Sequence, residues 1–155
     1  MIKFVRAKIE DAEKLTEVQI KTFDDDSRRF FGQPHGGPPG YNSVKWQLMI
    51  MRKGIYYKIL DGSKIIGGII VFKVGAGNYN LGRIYIDPEY QDQGIGTQAM
   101  NFIESTFRDA QRWTLETPKV ATRNHHFYEK LGYIRVGNDG PDGYLYEKRL
   151  NDSAK

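Results

Sequence analysis

Residues 55–74, IYYKILDGSKIIGGIIVFKV, constrain the fold of this chain more than any other stretch. Two runs rich in β-branched residues are joined by Asp61-Gly62, a pair that favours the tight turn of an antiparallel hairpin. NYNLGRIYID (78–87) reads as a third strand, ended by Pro88. Helix periodicity then takes over in 94–110, where Ile95, Ala99, Ile103 and Phe107 recur at every fourth position on one face. RWTLETP (112–118) returns to strand, TRNHHFYEKL (122–131) to a helix stopped by Gly132, and residues 133–150 to a closing hairpin. Ahead of residue 55, IKFVRA (2–7) alternates as a strand does. DAEKLTEVQIKTF (11–23) reads as a helix with Asp11 as N-cap and Leu15, Val18 and Phe23 as its apolar stripe. DDDSRRFFGQPHGGPPGYNS (24–43) reads as a long loop, after which Ser43 caps a second helix running to Arg52 and ended by Gly54. The order β-α-α-β-β-β-α-β-α-β-β describes an α/β domain with a mixed sheet.

With 155 residues the chain has the length of one domain, expected over 1–150 with a C-terminal tail at 151–155. A hydrophobic share of 39% and an aromatic share of 13% mark it as globular rather than disordered. No apolar run approaches the roughly 18 residues of a membrane span, and MIKFVRAKIEDAEK lacks the apolar core of a signal peptide. The expectation is a soluble, cytoplasmic protein with no membrane partner. The absence of cysteine excludes disulfides, zinc–thiolate sites and a cysteine nucleophile. His35, His125 and His126 show no metal-ligand spacing, so no metal is expected. The net charge of +4 is spread along the chain without a basic stripe, which argues against nucleic acid as the main ligand.

QDQGIG (91–96) sits where the third strand of this run gives way to a helix. Gly94, Gly96 and the tolerated Ala99 fit a GxGxxG/A dinucleotide pattern, but that pattern belongs after the first strand of a βαβ unit. A Walker loop is excluded because no Gly-Lys-Ser/Thr follows. What the stretch does provide is a run of backbone N–H groups at the positive end of a helix, with glycines that leave room for a phosphate.

QDQGIG after IYIDPEY resembles the Q/R-x-x-G-x-G/A signature of the GNAT superfamily of acyl-CoA N-acyltransferases. NHHFYEKLGY (124–133) resembles that superfamily's second hallmark, and the element order is similar over essentially the whole chain. The resemblance implies the GNAT acyltransferase fold: a mixed, mostly antiparallel sheet of about seven strands flanked by about four helices. It also implies acetyl-CoA as co-substrate, with its diphosphate on Gln91, Asp92, Gln93, Gly94, Ile95, Gly96 and Thr97. Asp92 departs from the glycine many relatives carry and should repel the diphosphate unless it points away. Strand 81–87 is expected to splay from 112–117, with the pantetheine arm pairing against backbone near Ile84, Tyr85 and Ile86 like an added strand.

Acyl transfer from a thioester to an amine needs a positioned thioester, an oxyanion donor, an acid for the sulfur and a neutral amine. Without cysteine, direct attack is expected rather than a covalent acyl-enzyme. Asn124 and Tyr128 share a helix face at i and i+4, while Phe127 and Leu131 pack on the adjacent one. Relatives with N-x-x-F-Y use the tyrosine as acid, so the resemblance assigns that role to Tyr128, with Asn124 contacting the coenzyme and backbone near Ile86 receiving the oxyanion. The base is open: Glu116 is one candidate, a carboxylate among Asp24, Asp25 and Asp26 another, and a water chain a third. The plainer readings are a solvated strand face for Glu116 and loop capping for the aspartates. His125, one turn from Tyr128, is a further candidate for lining the site. Asp24 and Asp25 beside aromatics such as Phe30 and Tyr41 suit a cationic amine acceptor: a polyamine, amino sugar, amino acid or peptide N-terminus.

Two rivals stand beside this reading. One is a non-catalytic acyl-CoA-binding regulatory module; the other is a nucleotide- or nucleic-acid-binding α/β domain. Many relatives pair as homodimers, but no pairing surface is legible in the sequence.

Overall fold

The computed structural model describes residues 1–150, and the expected tail at 151–155 lies outside them. Seven strands form one sheet in the order β1-β2-β3-β4-β5-β7-β6. They are β1 (Ile2–Arg6), β2 (Ile55–Asp61), β3 (Lys64–Gly75), β4 (Asn78–Ile86), β5 (Arg112–Pro118), β6 (Ile134–Asp139) and β7 (Gly143–Arg149). Every pairing is antiparallel except β4–β5. Four α-helices cover the sheet: α1 (Ala12–Asp26), α2 (Val44–Lys53), α3 (Ile95–Thr106) and α4 (Thr122–Lys130). This is the expected mixed α/β architecture.

Apolar residues on both faces of β3 explain the layering. Ile66, Ile69 and Val71 pack with Ile95, Ala99, Met100 and Ile103 of α3 and with Tyr128 of α4. Ile65 and Ile70 face the other way, onto Leu15 and Val18 of α1 and Ile50 of α2. A strand buried on both sides needs helices on both sides.

The local signals hold with four corrections. Asp61 pairs with Lys64, so the hairpin loop is Gly62-Ser63 rather than Asp61-Gly62. Gly62 takes the positive φ (+62°) that a primed two-residue turn demands of its first residue. Asp11 holds the N-cap position of α1 without capping it; its carboxylate accepts from Lys8 N–H (2.8 Å) and pairs with Lys58 (2.9 Å). The helix predicted to stop at Phe23 runs on through Asp26 and into a π-helical turn, Ser27–Phe31, closed by left-handed Gly32. Three aspartates at a helix C-terminus oppose its dipole. Here Asp25 pairs with Arg28 and Arg29, and Asp24 accepts bonds from the following loop, which together offset that cost. Finally, α3 ends at Thr106 because Phe107 turns out of the helix onto Tyr79 and Trp113. Ser43 caps α2 as predicted, accepting from Trp46 N–H at 3.1 Å.

The sheet is interrupted where it matters for function. β4 and β5 pair only at Asn78↔Arg112, Tyr79↔Trp113 and Asn80↔Thr114, then separate. Just beyond that point Val71 pairs with Leu81 and Ile70 with Arg83, leaving Gly82 as the extra residue of a bulge. A Cβ at Gly82 would collide with the Phe72 ring. The bulge sharpens the twist of β4 and carries it away from β5, so the predicted splay is present.

Candidate active site

The wedge between β4 and β5 adjoins two cavities. One is a cleft of about 880 Å³ between β4, the glycine loop and α4. The other is a cavity of about 560 Å³ floored by Leu81–Arg83 and Leu115–Pro118 and walled by Phe23, Phe30 and the 33–38 loop. Phe23, Asp26, Phe30, Ile84, Asn124 and Tyr128 line both. Chemistry between a ligand in one cavity and a ligand in the other would take place at these six residues.

The larger cleft is built for an anion and an extended arm. Gly94 takes a left-handed φ of +79° as N-cap of α3, and it brings no side chain to cap the first-turn N–H groups of Ile95, Gly96 and Thr97. Gly96 sits against Phe127, where a Cβ would come within 3.1 Å of the ring. Arg123 and Lys130 add positive charge to the lining. Asp92 adopts φ +64° and its carboxylate is turned onto Arg123, which also donates to Gln91 Oε1 (3.1 Å). The carboxylate thus carries its own counter-ion and occupies a cation that an entering phosphate would use. Gln93 alone among the predicted loop residues stays off the cleft lining and reaches back to Glu89 O.

Backbone register shows which groups of β4 face the wedge. Asp87 N–H donates to Ile66 O on β3 (2.8 Å), so alternation directs the main chain of Tyr85 to β3 and those of Ile84 and Ile86 to the cleft. Ile86 O there accepts from the Gln91 side chain (3.0 Å) and Thr22 Oγ1 (3.3 Å). The sequence reading has Tyr85 offering backbone as well. Its ring is instead buried, with its hydroxyl 2.5 Å from that of Tyr56.

Tyr128 is 7% exposed, and burial followed by the negative charge of Asp26 holds its hydroxyl protonated well above the usual phenol range. Asn124, one turn earlier, makes no cap and points its face at the same junction. Asp26 is the residue that sequence reasoning placed only as one of three. Burial, then repulsion from Asp25, raises its carboxyl to about 6, against partial compensation from Arg29 and Arg123. A carboxylate titrating near neutrality at the meeting point of two cavities has the properties of a general base.

Other predicted residues fall elsewhere. Asp24 accepts from Gly36 N–H (3.0 Å), Tyr41 hydroxyl (2.9 Å) and His35 (3.2 Å). Burial alone would raise its pKa, but these bonds outweigh burial and lower it. Asp24 and Tyr41 therefore fold the loop and line neither cavity. Asp25 is spent on Arg28 and Arg29. Phe30 does line both cavities. Glu116 lines the smaller one, exposed and accepting from Asn80 at 3.0 Å. His125 is buried against Tyr144 and Tyr146 with Nε2 2.8 Å from Pro118 O, so it lines neither cavity, whereas its neighbour His126 lines the cleft. Helical rotation of about 100° per residue separates the two histidines as it separates the three aspartates.

A family model described as an acetyltransferase (GNAT) domain matches residues 52–135. The uncharacterized protein YrkN of Bacillus subtilis (strain 168) is 31% identical over 105 residues, 66% of this chain and 57% of that relative. The match thus spans little more than half of the relative's length. Among solved structures, the PaiA N-acetyltransferase of Thermoplasma acidophilum in complex with coenzyme A is similar with a TM-score of 0.80. It is 22% identical, with 97% of this chain and 99% of that one covered. The ribosomal-protein-S18-alanine N-acetyltransferase of Escherichia coli follows at a TM-score of 0.76 and 15% identity, covering 97% and 95%. These two likenesses establish a common fold. The family match covers the glycine loop, the splayed strands and the helix carrying Asn124 and Tyr128, and it spans more than half of the chain: this protein belongs to the GNAT acetyltransferase family.

Proposed function

We propose that the protein transfers an acetyl group from acetyl-CoA to a primary amine by direct attack across the β4–β5 wedge. The observation that carries this reading is the pair of cavities meeting at Asp26, Asn124 and Tyr128. The larger cleft fits coenzyme A: uncapped N–H groups and Arg123 for the diphosphate, and the cleft-facing backbone of Ile84 with the N–H of Ile86 for the arm. Bound there, acetyl-CoA supplies an activated acyl group as a thioester.

The chain's own groups then divide the proton work. Ile86 N–H, facing the cleft, receives the oxyanion. Asp26 takes the proton lost by the attacking amine, and Tyr128 gives its proton to the departing sulfur. The two steps are linked, because the negative charge on Asp26 is one of the causes that hold the Tyr128 proton in place. Once Asp26 is protonated, that hold weakens and Tyr128 becomes the stronger acid. A proton passed back from Asp26 to Tyr128 restores both.

Two measurements test the reading. Thiol released from acetyl-CoA should rise with added amine, followed over a panel of polyamines, amino sugars, amino acids and short peptides. Tight coenzyme A binding with no release for any amine would instead support a regulatory module. In addition, Asp92→Gly is expected to tighten coenzyme A binding about 3- to 10-fold by calorimetry. Glycine accepts the left-handed backbone without strain, and the change removes a carboxylate and frees Arg123. Unchanged or weaker affinity would show that Arg123 does not reach the diphosphate.

A further inference from the structure

Arg83 and Lys119 are the partly buried cations that face no carboxylate among the described residues, and of the two only Arg83 lines a cavity. Lys58, Arg112 and Lys148 each face a carboxylate: Asp11, Glu147 and Glu104. Arg83 has none among the described residues. Its Nη1 donates to Gln19 Oε1 (3.0 Å) and its Nη2 to Pro39 O (3.2 Å), which leaves three of the five guanidinium N–H groups free. The group is also held in place by rings, with Trp46 4.2 Å and Phe23 5.6 Å from its carbon. Gln19 is fully buried and itself anchored to Tyr41 O (3.3 Å), so the guanidinium is fixed before any ligand arrives. Burial, the largest influence on it, lowers its pKa. A preoriented, unneutralised cation of this kind is costly to keep unless something anionic uses it.

Its position says what that is. Arg83 lines the acceptor cavity but not the coenzyme cleft, together with Glu116 and with Thr117, whose buried hydroxyl has no hydrogen-bond partner. Asp26 lies where that cavity meets the cleft. The acceptor side therefore carries negative charge at the junction, where the amine must enter, a second carboxylate on Glu116 that Asn80 already engages, and a fixed positive group, Arg83, that lines this cavity and not the cleft. We infer that the acceptor is a primary amine that also bears a carboxylate, bound by Arg83 while the nitrogen approaches Asp26. The inference rests on the acetyl-transfer reading above. A bidentate carboxylate–guanidinium pair would use the free N–H groups, and a second ammonium in the same place would be repelled. That ranks amino acids and acidic peptides above polyamines and amino sugars.

The test compares matched pairs that differ by the carboxylate: lysine against cadaverine, phenylalanine against phenethylamine, and a short peptide with an acidic second residue against its amide analogue. Binding to coenzyme A-loaded protein is read by calorimetry, and turnover by thiol release. The carboxylate member of at least one pair is expected to lead by roughly 10- to 100-fold in both, the span that follows from leaving a charged, desolvated partner unmatched. In Arg83→Met that preference should shrink to within about threefold, and Arg83→Lys, which keeps charge without the fork, should retain an intermediate preference. The amino-acid and peptide arms separate free from peptide-borne carboxylates. Equal or weaker binding of every carboxylate member by the wild type, or an undiminished preference in folded Arg83→Met, overturns the inference. If coenzyme A fails to bind, the acetyl-transfer reading itself falls; if the member without the carboxylate is the better acceptor in every pair, only the inference about Arg83 does.

Discussion

Tyr128→Phe is expected to lower amine-dependent thiol release by roughly 10²- to 10⁴-fold, the usual contribution of a positioned general acid. Affinity for coenzyme A should stay within about threefold, because the ring that packs into the core is retained and only the hydroxyl is lost. Burial together with Asp26 keeps that hydroxyl protonated at neutral pH. Its removal strands no hydrogen-bond partner among the described residues, so the melting temperature should hardly move. The combination separates chemistry from packing: a structural tyrosine would give up stability, while an acid gives up turnover. Turnover that survives in the variant would assign the sulfur's proton to water or to another group.

Asp26→Asn should pull activity and stability in opposite directions. The carboxyl is raised from 3.8 to about 6 in the folded protein, chiefly by burial and then by Asp25. A carboxyl raised on folding binds its proton more tightly in the native state than in the unfolded chain. It therefore destabilises the fold when ionised: not at all below the unfolded value near 3.8, increasingly between 3.8 and 6, and fully above 6. The difference corresponds to at most about 3 kcal/mol, at 1.36 kcal/mol for each pH unit of separation. The amide that replaces the carboxyl cannot ionise, so the variant should melt several degrees higher than wild type at pH 8 and show no advantage at pH 4. The same change removes the proton acceptor. Turnover should fall by roughly 10²-fold or more, and the decline expected of the wild type as pH drops through about 6 should be absent. A variant with full activity, or with the same acid limb, would hand the base role to Glu116 or to water. One that is less stable at pH 8 would mean that Asp26 is neutralised by its neighbours.

The order of elements and the phosphate-ready glycine loop were legible in the sequence because both depend on short-range rules. A hairpin needs turn residues between two β-branched runs, and a helix start aimed at an anion needs glycines at fixed offsets. The pairing of Asn124 with Tyr128 on one face follows from helical spacing alone. The extent of α1 was not legible, because three aspartates followed by arginines read as loop until the pairs Asp25–Arg28 and Asp25–Arg29 are seen to support a helical turn.

By itself, then, the sequence determined which elements form, in what order, and which backbone stretch can hold an anion. Tertiary structure alone decided the rest. It turned Asp24 into a loop anchor, Asp25 into a surface pair and Asp26 toward both cavities, because residues in succession on a helix point about 100° apart and only the packing of α1 says which direction is inward. It placed the bulge at Gly82 where β4 leaves β5, a consequence of pairing with β3 that no local pattern announces. It also left Arg83 without a carboxylate, since whether a charge is paired depends on residues more than forty positions away in the chain, such as Gln19 and Pro39, and not on its neighbours.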